Sequence, residues 1–320
     1  MQTTDPWHSF WQNAARHGKT DSGVKDPALA NAWQNFFQTE FSQRQVHPLS
    51  MLDMGCGDGA ISQIAQAEAE RIGLDLQITC LDSSAAALEQ AQASLPNAQL
   101  VTASAADSGL DDKAFDLVVS QFGVEYAGQE GIAEAARLLA PSGQIALVIH
   151  QAGSAIDTES RATVAAISAV QDSGILAAIC KLCDESMAIR RGEGSRVGFE
   201  LADRALAPCV KAVEETLQEQ GKSVASGLPF RIYSDVAQMY RSINNYDSED
   251  IQHWADQAGV ELEGYRQRMQ SMLDAGLDTA GVEAAAQVLA AAGIEITQRD
   301  SLQLQDQRAA AWRVLGQRSS

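Results

Sequence analysis

The segment SMLDMGCGDGAISQIAQ, residues 50–66, carries the strongest chemical signal in the sequence. An apolar run ends at Gly55, and further glycines stand at positions 57 and 59 before an amphipathic stretch begins. Glycine has no Cβ, so a ligand can approach the backbone closely, and a helix that starts there offers free N–H groups. The segment therefore predicts a ligand-binding turn between a strand and a helix.

Carboxylates beside this turn bear on the nature of the ligand. GCGDGA fits the dinucleotide fingerprint G-x-G-x-x-A, so an NAD(P)-dependent oxidoreductase is one interpretation. Asp53 and Asp58, however, place negative charge on both sides of the turn. Negative charge repels a pyrophosphate and attracts a cationic amino group. The acidic residues therefore favour a ligand with an ammonium group.

A second set of candidate residues lies at the ends of two later apolar runs. His150 ends QIALVIH, and Glu125 and Tyr126 follow FDLVVSQ closely. Histidine titrates near neutral pH, so His150 is the first candidate for a general base or for a residue that orients an acceptor. Glu125 and Tyr126 are the next candidates. The alternative for all three is a structural role at the end of a strand.

Short apolar runs alternate with helical patterns in the first half of the chain, which indicates an α/β fold. The predicted strands cover 50–55, 76–82, 98–104, 114–121 and 144–150, and the predicted helices between them cover 58–70, 84–95 and 129–140. Buried strands joined by helices form a parallel, doubly wound sheet. The carboxyl ends of its strands share one edge, where ligands bind.

The pattern changes after His150. Residues 151–277 contain only helical stretches, and then Asp278 is suited to cap a helix that Gly293 ends. Apolar runs at 294–304 and 309–317 predict an antiparallel pair that completes a seven-stranded, mostly parallel, Rossmann-like sheet. The predicted domains are an N-terminal helical segment (1–44), an α/β domain (45–150 with 278–320) and a helical insertion (151–277).

Composition limits the possible partners and the compartment. The 320 residues carry a net charge of -19, which repels phosphate backbones and anionic lipid. No run of eighteen apolar residues and no secretory leader is evident, so we expect a cytoplasmic protein without membrane or nucleic-acid partners. Five cysteines show no framework spacing, and the CxxC at Cys180 and Cys183 lacks a second ligand pair, so we predict no metal site.

Four ordered motifs resemble those of the class I S-adenosylmethionine-dependent methyltransferases. LDMGCGDG resembles the first motif, CLDSSAAALEQAQ the second, FDLVVSQFGVEY the fourth-strand motif and RLLAPSGQIALVIH the turn into the fifth strand. The closing helix and hairpin also fit, so the resemblance covers roughly 45–150 and 278–318. It implies a Rossmann-like fold, S-adenosylmethionine as the cofactor and S-adenosylhomocysteine as its product.

The resemblance also implies residue roles around the cofactor. Gly55, Cys56 and Gly57 would form the backbone cradle beside the methionine portion. Asp53 would hold the ammonium group, directly or through water. Asp82 would accept hydrogen bonds from both ribose hydroxyls, because a carboxylate accepts two such bonds side by side.

Other positions extend this implied site. Ser83 would lie against the adenine. Ser104 and Ala105 stand where similar sequences have an aspartate that contacts the adenine amine, so this sequence departs from the pattern there. The residues expected to border the methyl group are Ser120, Gln121 and Phe122.

The acceptor is predicted to be a small molecule. No N/D-P-P-Y type signature follows the fourth strand, which disfavours nucleic-acid and amide-nitrogen acceptors. Helices of the insertion are expected to cover the acceptor, with Trp11, Tyr233 and Tyr240 as substrate contacts. The alternatives are that the insertion forms a homodimer interface, or that the chain is a non-catalytic regulator that only binds the cofactor.

Overall fold

The computed structural model describes residues 7–8, 10–12, 27–43 and 48–319 of the chain. The chain divides into two compact units. The first comprises Met1–Thr158 and Ser271–Ser320 and is called here the α/β unit. The second comprises Glu159–Gln270 and is called the helical unit.

The α/β unit is built on one seven-stranded sheet. Its strands are β1 (Leu49–Met54), β2 (Leu76–Asp82), β3 (Gln99–Thr102), β4 (Phe115–Gln121), β5 (Leu139–His150), β6 (Ile294–Gln303) and β7 (Ala309–Arg318). Their spatial order is β3-β2-β1-β4-β5-β7-β6. Strand β7 runs antiparallel to both of its neighbours, and the other pairs are parallel. The predicted mostly parallel α/β sheet is confirmed.

Helices cover both faces of this sheet. They are α1 (Pro27–Gln43), α2 (Ala60–Ile72), α3 (Ala85–Ser94), α4 (Gly128–Leu138) and, near the C-terminus, α10 (Thr279–Ala291). Successive side chains of a strand point to opposite faces. Met51 of β1 therefore packs in the core that contains Phe37 of α1, whereas Leu52 packs in the core that contains Leu289 of α10.

Strand β5 begins at Leu139, earlier than the predicted start at 144. Pro141 and Gly143, residue types that usually end a helix, lie inside this strand. The pairing with β4 shifts register between Phe115 and Leu117. Proline has no N–H to donate, so it enters a sheet where the ladder is irregular. The strand thus begins with an irregular segment, and the pattern of apolar residues in the sequence does not predict that segment.

The C-terminal part returns to the sheet beside the end of β5. Asp278 caps α10, because its Oδ1 accepts a hydrogen bond from the Gly281 N–H at 2.8 Å. The Leu277 N–H donates to the His150 carbonyl at 2.8 Å, and the Ala152 N–H donates to the Leu277 carbonyl at 2.9 Å. The chain therefore leaves and re-enters the α/β unit at neighbouring points, directly after His150.

Five helices run through the insertion. They are α5 (Ala155–Ser173), α6 (Ile175–Arg190), α7 (Arg196–Gln220), α8 (Leu228–Arg241) and α9 (Ser248–Ala275). The helical unit has a core of its own, which includes Leu182, Val213 and Leu262. Cys183 belongs to this core and Cys180 packs against it. Among the described residues no cluster of histidine, cysteine and acidic side chains is suited to hold a metal.

One helical stretch in the described part of the chain, Ala155–Arg190, is long and apolar enough to cross a membrane by length and composition. Gly174, with φ 69°, divides this stretch into α5 and α6. Ile167 and Ile179 from the two helices are buried in the core of the helical unit. Core helices of globular proteins meet the same criterion, so the stretch alone is weak evidence for a membrane span.

Two loops meet at the carboxyl ends of β1 and β4. Gly55 has φ 67°, and a Cβ added there would lie 2.7 Å from the Gly123 Cα. Ser120 also links the two loops: its hydroxyl donates to the Met54 carbonyl at 2.6 Å and accepts from the Val124 N–H at 3.0 Å. The backbones touch here because neither loop carries a side chain at the contact.

We predict that Gly55→Ala destabilises the protein more than Gly109→Ala. Both glycines have nearly the same positive φ, 67° and 68°, but nothing lies within 4 Å of a Cβ at position 109. Alanine in the left-handed region costs about 1–2 kcal/mol, which both variants share. The clash with Gly123 should add about 1–3 kcal/mol in Gly55→Ala. Urea unfolding of the two variants would measure the difference, and equal losses would contradict the contact.

Candidate cofactor and acceptor site

Asp82 joins the end of β2 to the glycine turn. Its Oδ2 accepts from the Gly57 N–H at 2.9 Å and its Oδ1 accepts from the Ser84 N–H at 2.8 Å. The N–H groups of Gly55 and Cys56 both donate to the Leu81 carbonyl, at 2.8 and 3.0 Å. A carboxylate has about four acceptor positions. The two backbone bonds therefore fix the Asp82 carboxylate beside the glycine turn.

Asp53 lies beneath the turn, with only 1% of its surface exposed. Its Oδ2 accepts a hydrogen bond from the Ser62 hydroxyl at 2.7 Å. The pKa of Asp53 is raised from 3.8 to about 7, chiefly by burial. The Ser62 hydrogen bonds oppose this rise, and the nearby Asp82 and Asp58 carboxylates contribute to it. A nearby cation would lower this pKa again, as expected for a residue that meets an ammonium group.

Residues 7–12 of the N-terminal segment, as far as the structure describes them, lie over the glycine turn. A Cβ at Gly57 would stand 2.8 Å from Trp11 Cζ2, so the indole packs closely on that backbone. Trp11 also packs with Ala86 and Ala87 of α3. The Trp11 ring contacts Phe10, Phe10 contacts Trp7, and Trp7 contacts Tyr126. Trp11 therefore packs on the glycine turn, and its contact with a substrate stays a prediction.

His150 and Glu125 form a buried pair where β5 ends. Glu125 Oε1 accepts from His150 Nδ1 at 2.8 Å and from the His150 backbone N–H at 3.0 Å. The His150 and Glu125 side chains are 6% and 0% exposed. A neutral imidazole that donates its Nδ1–H to a carboxylate has its lone pair on Nε2. This is the tautomer that can take a proton from an acceptor.

Aromatic rings surround the imidazole. Phe122 lies 4.2 Å from His150 between ring centroids, at an angle of 30°, and Tyr126 meets it edge-on at 5.8 Å. Trp7 meets Tyr126 edge-on at 5.9 Å. Glu125 and Tyr126 lie in a 3-10 turn, Val124–Ala127, that follows β4. The structure thus brings together His150, Glu125 and Tyr126, which the sequence proposed separately, and adds Trp7.

Two residues predicted to border the methyl group, Ser120 and Gln121, make hydrogen bonds within the framework, and their contact with the cofactor stays a prediction. Ser120 has no exposed surface, and both of its hydroxyl hydrogen bonds go to backbone groups of the β1–β4 junction. Gln121 Oε1 accepts from Trp33 Nε1 at 2.7 Å, which anchors α1 to the end of β4. Ser120 thus has no free surface for the cofactor. Phe122 lies beside His150, and its contact with the methyl group stays a prediction.

The predicted adenine positions are less constrained. Ser83 is exposed next to Asp82, and Ser104 is exposed after β3, where its Oγ accepts from the Ala106 N–H at 3.1 Å. Ala105 packs partly against a core cluster. Neither Ser104 nor Ala105 supplies a carboxylate, so adenine contact at these positions stays a prediction.

The two tyrosines predicted as substrate contacts have partners inside the helical unit. The Tyr233 hydroxyl donates to Glu214 Oε1 at 2.7 Å, and the Tyr240 hydroxyl donates to Asp203 Oδ1 at 2.8 Å. Tyr240 is half exposed. Contact of either tyrosine with an acceptor stays a prediction.

Comparison with known families identifies the core of the α/β unit. Residues 52–147, which run from β1 into β5, match the sequence model described as a methyltransferase domain. This part of the chain is a methyltransferase domain. The match includes the glycine turn, Asp82 and Glu125. It confirms the resemblance to the class I family, whose cofactor is S-adenosylmethionine, and it does not support an NAD(P)-dependent oxidoreductase.

Solved structures with a similar fold are distant in sequence. They include the YcgJ protein of Bacillus subtilis (16% identity, TM-score 0.32, 38% of this chain and 51% of that one). The match to a 1,6-didemethyltoxoflavin-N1-methyltransferase of Burkholderia thailandensis covers 98% of this chain and 88% of that one, with 10% identity and a TM-score of 0.43. The match to the CurJ carbon methyltransferase covers 99% of this chain and 61% of that one, with 12% identity and a TM-score of 0.45. This chain thus spans about half of YcgJ. A comparison with curated proteins finds no match.

The residues of the methyltransferase domain fit S-adenosylmethionine. At Gly57 an added Cβ would clash with Trp11 Cζ2, so backbone atoms alone form the surface of the turn. The Asp82 carboxylate is held beside the turn, where it would accept from the ribose hydroxyls, and Asp53 is a buried acid that would meet the ammonium group. These three groups would hold the cofactor at the carboxyl ends of β1 and β2.

We predict that Asp82→Ala lowers the affinity for S-adenosylmethionine by about 100-fold or more. Each hydrogen bond to a charged acceptor contributes about 1.5–3 kcal/mol, and the two ribose bonds would be lost together. Isothermal titration calorimetry would measure the change. Asp111→Ala, which removes an exposed carboxylate from the loop before β4, is the matched control and should bind normally. NAD(P)H should not bind; tight NAD(P)H binding without S-adenosylmethionine binding would contradict the assignment.

We further predict that cofactor affinity rises with pH through Asp53. Its pKa of about 7 means that the ligand-free protein holds a proton there below pH 7. An ammonium group favours the ionised form, so binding releases that proton, and affinity should rise by up to about tenfold per pH unit from pH 5 to 7 and then level.

Folding stability should show the opposite trend. Because the folded pKa of Asp53 lies above its ordinary value of 3.8, the ligand-free protein should lose stability as pH rises from about 4 to about 7. Asp53→Asn, which keeps the shape of the side chain without titrating, should remove its share of both trends. Calorimetry and thermal unfolding across this range measure them, and identical slopes in both proteins would exclude Asp53.

Proposed function

We propose that the chain is a methyltransferase for a small-molecule acceptor whose methylated atom must first lose a proton. The observation that carries this proposal is the His150–Glu125 pair, with Nδ1 and Oε1 2.8 Å apart and buried where β5 ends. Its partner turn, with Asp82, lies at the carboxyl ends of β1 and β2 in the same parallel sheet. Both sets of residues therefore belong to one edge of the sheet.

The chemistry assigned to the chain is alignment and proton transfer. S-adenosylmethionine, when bound, supplies a methyl carbon that is already activated for in-line displacement. The protein excludes water, aligns the acceptor and provides a base. His150 Nε2 would take the proton from the acceptor, and the Glu125 carboxylate would stabilise the imidazolium that forms.

Charge supports a small acceptor over a nucleic acid. The net charge of -19 opposes an approaching phosphate backbone. Four side chains at or beside the turn and the base, Asp53, Asp58, Asp82 and Glu125, are acidic. The alternative of a regulator that binds the cofactor without turnover predicts that the His150–Glu125 pair has no kinetic role.

We predict that His150→Ala lowers kcat by about 100-fold or more and leaves the Kd for S-adenosylmethionine nearly unchanged. The reason is that the imidazole contacts Glu125, Phe122 and Tyr126, none of which belongs to the glycine turn. Release of S-adenosylhomocysteine in the presence of an acceptor measures kcat, and calorimetry measures Kd.

Glu125→Gln provides the second variant of this experiment. Glutamine keeps the shape of Glu125 but cannot stabilise an imidazolium by charge, so kcat should fall while thermal stability changes little. If His150→Ala turns over normally in a folded protein, the base assignment is wrong. If the wild-type protein binds the cofactor but never releases product with any acceptor, the regulator interpretation replaces the proposal.

A further inference from the structure

We propose that the acceptor is a planar aromatic molecule, uncharged or cationic, that is methylated on an O–H or N–H group. This inference rests on the proposed function and specifies the class of substrate. It is based on the rings around His150 and on the sign of the charges near them.

Three aromatic side chains define the environment of the proposed base. Phe122 lies 4.2 Å from the imidazole between centroids, and Tyr126 meets the imidazole edge-on at 5.8 Å. Trp7 continues this group from the other side of Tyr126, at 5.9 Å. Phe122, Tyr126 and Trp7 each keep part of their surface exposed, whereas His150 is buried. An acceptor that reaches His150 therefore meets ring surfaces first, and aromatic rings favour other rings in stacked or edge-on arrangements.

The backbone holds this arrangement in place. Phe122 has φ 54°, a conformation that is unfavourable for a bulky residue, and its N–H donates to the Val148 carbonyl at 2.8 Å. The His150 N–H and Nδ1 both donate to Glu125, and the His150 carbonyl accepts from Leu277. Strained residues of this kind persist where surrounding contacts determine them, and they occur often at ligand sites. A fixed set of rings favours a flat ligand over a puckered one.

Electrostatics determine which flat ligands are excluded. Glu125 Oε2 is buried, and no donor among the described residues lies within hydrogen-bond distance of it. Together with Asp53 and Asp82 it makes this part of the α/β unit acidic. A carboxylate or phosphate on the acceptor would meet like charge in a partly desolvated site, which costs free energy. A neutral or cationic ring system is compatible with the same charges.

The proposed step balances in atoms and charge. The acceptor O–H or N–H bond breaks, and its proton moves to His150 Nε2. The freed electron pair forms the new bond to the methyl carbon. The carbon–sulfur bond of S-adenosylmethionine breaks, and its electron pair stays on sulfur, which gives neutral S-adenosylhomocysteine. The imidazolium then returns its proton to solvent.

Three probes of similar size test this class. 2-Naphthol is planar, neutral and protic; decahydro-2-naphthol keeps the hydroxyl and loses the planarity; 2-naphthoate keeps the planarity and adds negative charge. Calorimetry at pH 7.5 with the full chain saturated with S-adenosylhomocysteine would give their Kd values. We expect 2-naphthol to bind about tenfold or more tightly than either of the other two.

Variants locate the binding. Tyr126→Leu and Trp7→Leu should each weaken 2-naphthol binding by about fivefold or more while S-adenosylhomocysteine affinity and thermal stability stay close to wild type. Phe36→Leu, which removes a partly buried ring from α1, is the matched control and should bind 2-naphthol normally.

The outcomes separate the two proposals. If S-adenosylhomocysteine itself does not bind, the proposed function fails. If it binds and the saturated alcohol or the naphthoate binds as tightly as 2-naphthol, or the two variants bind 2-naphthol like the control, the aromatic class is wrong and the proposed function is unaffected.

Discussion

The close contact between the Gly55 and Gly123 backbones is the constraint on which the site depends. It brings the loop after β1, which holds the cofactor turn, directly against the loop after β4, which leads into Glu125 and Tyr126. A side chain at either position would separate the loops. The Ser120 hydroxyl then joins the two loops by backbone hydrogen bonds. The glycine turn and the loop that carries Glu125 are therefore positioned by a single junction in the middle of the sheet.

The sheet order explains why this junction is also the place of binding. Strands β1 and β4 are neighbours, and the connections from them proceed toward opposite edges, β2 on one side and β5 on the other. A crevice opens where the strand order reverses in this way. Asp82 at the end of β2 and His150 at the end of β5 lie on either side of it. Separate strands therefore supply the group proposed to bind the cofactor and the group proposed to act as the base.

Much of this could be predicted from the sequence, because the signals were local. Apolar runs and the glycine turn predicted the seven strands and their mostly parallel sheet, and the Asp278 cap was readable from its position before a helical pattern. The early start of β5 was not readable, because Pro141 and Gly143 normally end regular structure and only the pairing of Leu139 with Phe115 explains the strand. The buried role of Ser120 was not readable either, since a hydroxyl after a strand suits a ligand equally well.

The contact between His150 and Glu125 could not be predicted from the sequence and is seen only in the structure. Glu125 and His150 are 25 positions apart, and nothing in either segment specifies that their side chains meet. The meeting follows from the β4–β5 pairing, which sets Gln121 beside Val148 and so brings the turn after β4 next to the end of β5. Once both are buried, Glu125 determines the imidazole tautomer, because a carboxylate accepts from Nδ1 and leaves Nε2 as the proton acceptor. The register between β4 and β5 thus places Glu125 beside His150 and so favours the imidazole tautomer that the proposed methyl transfer requires.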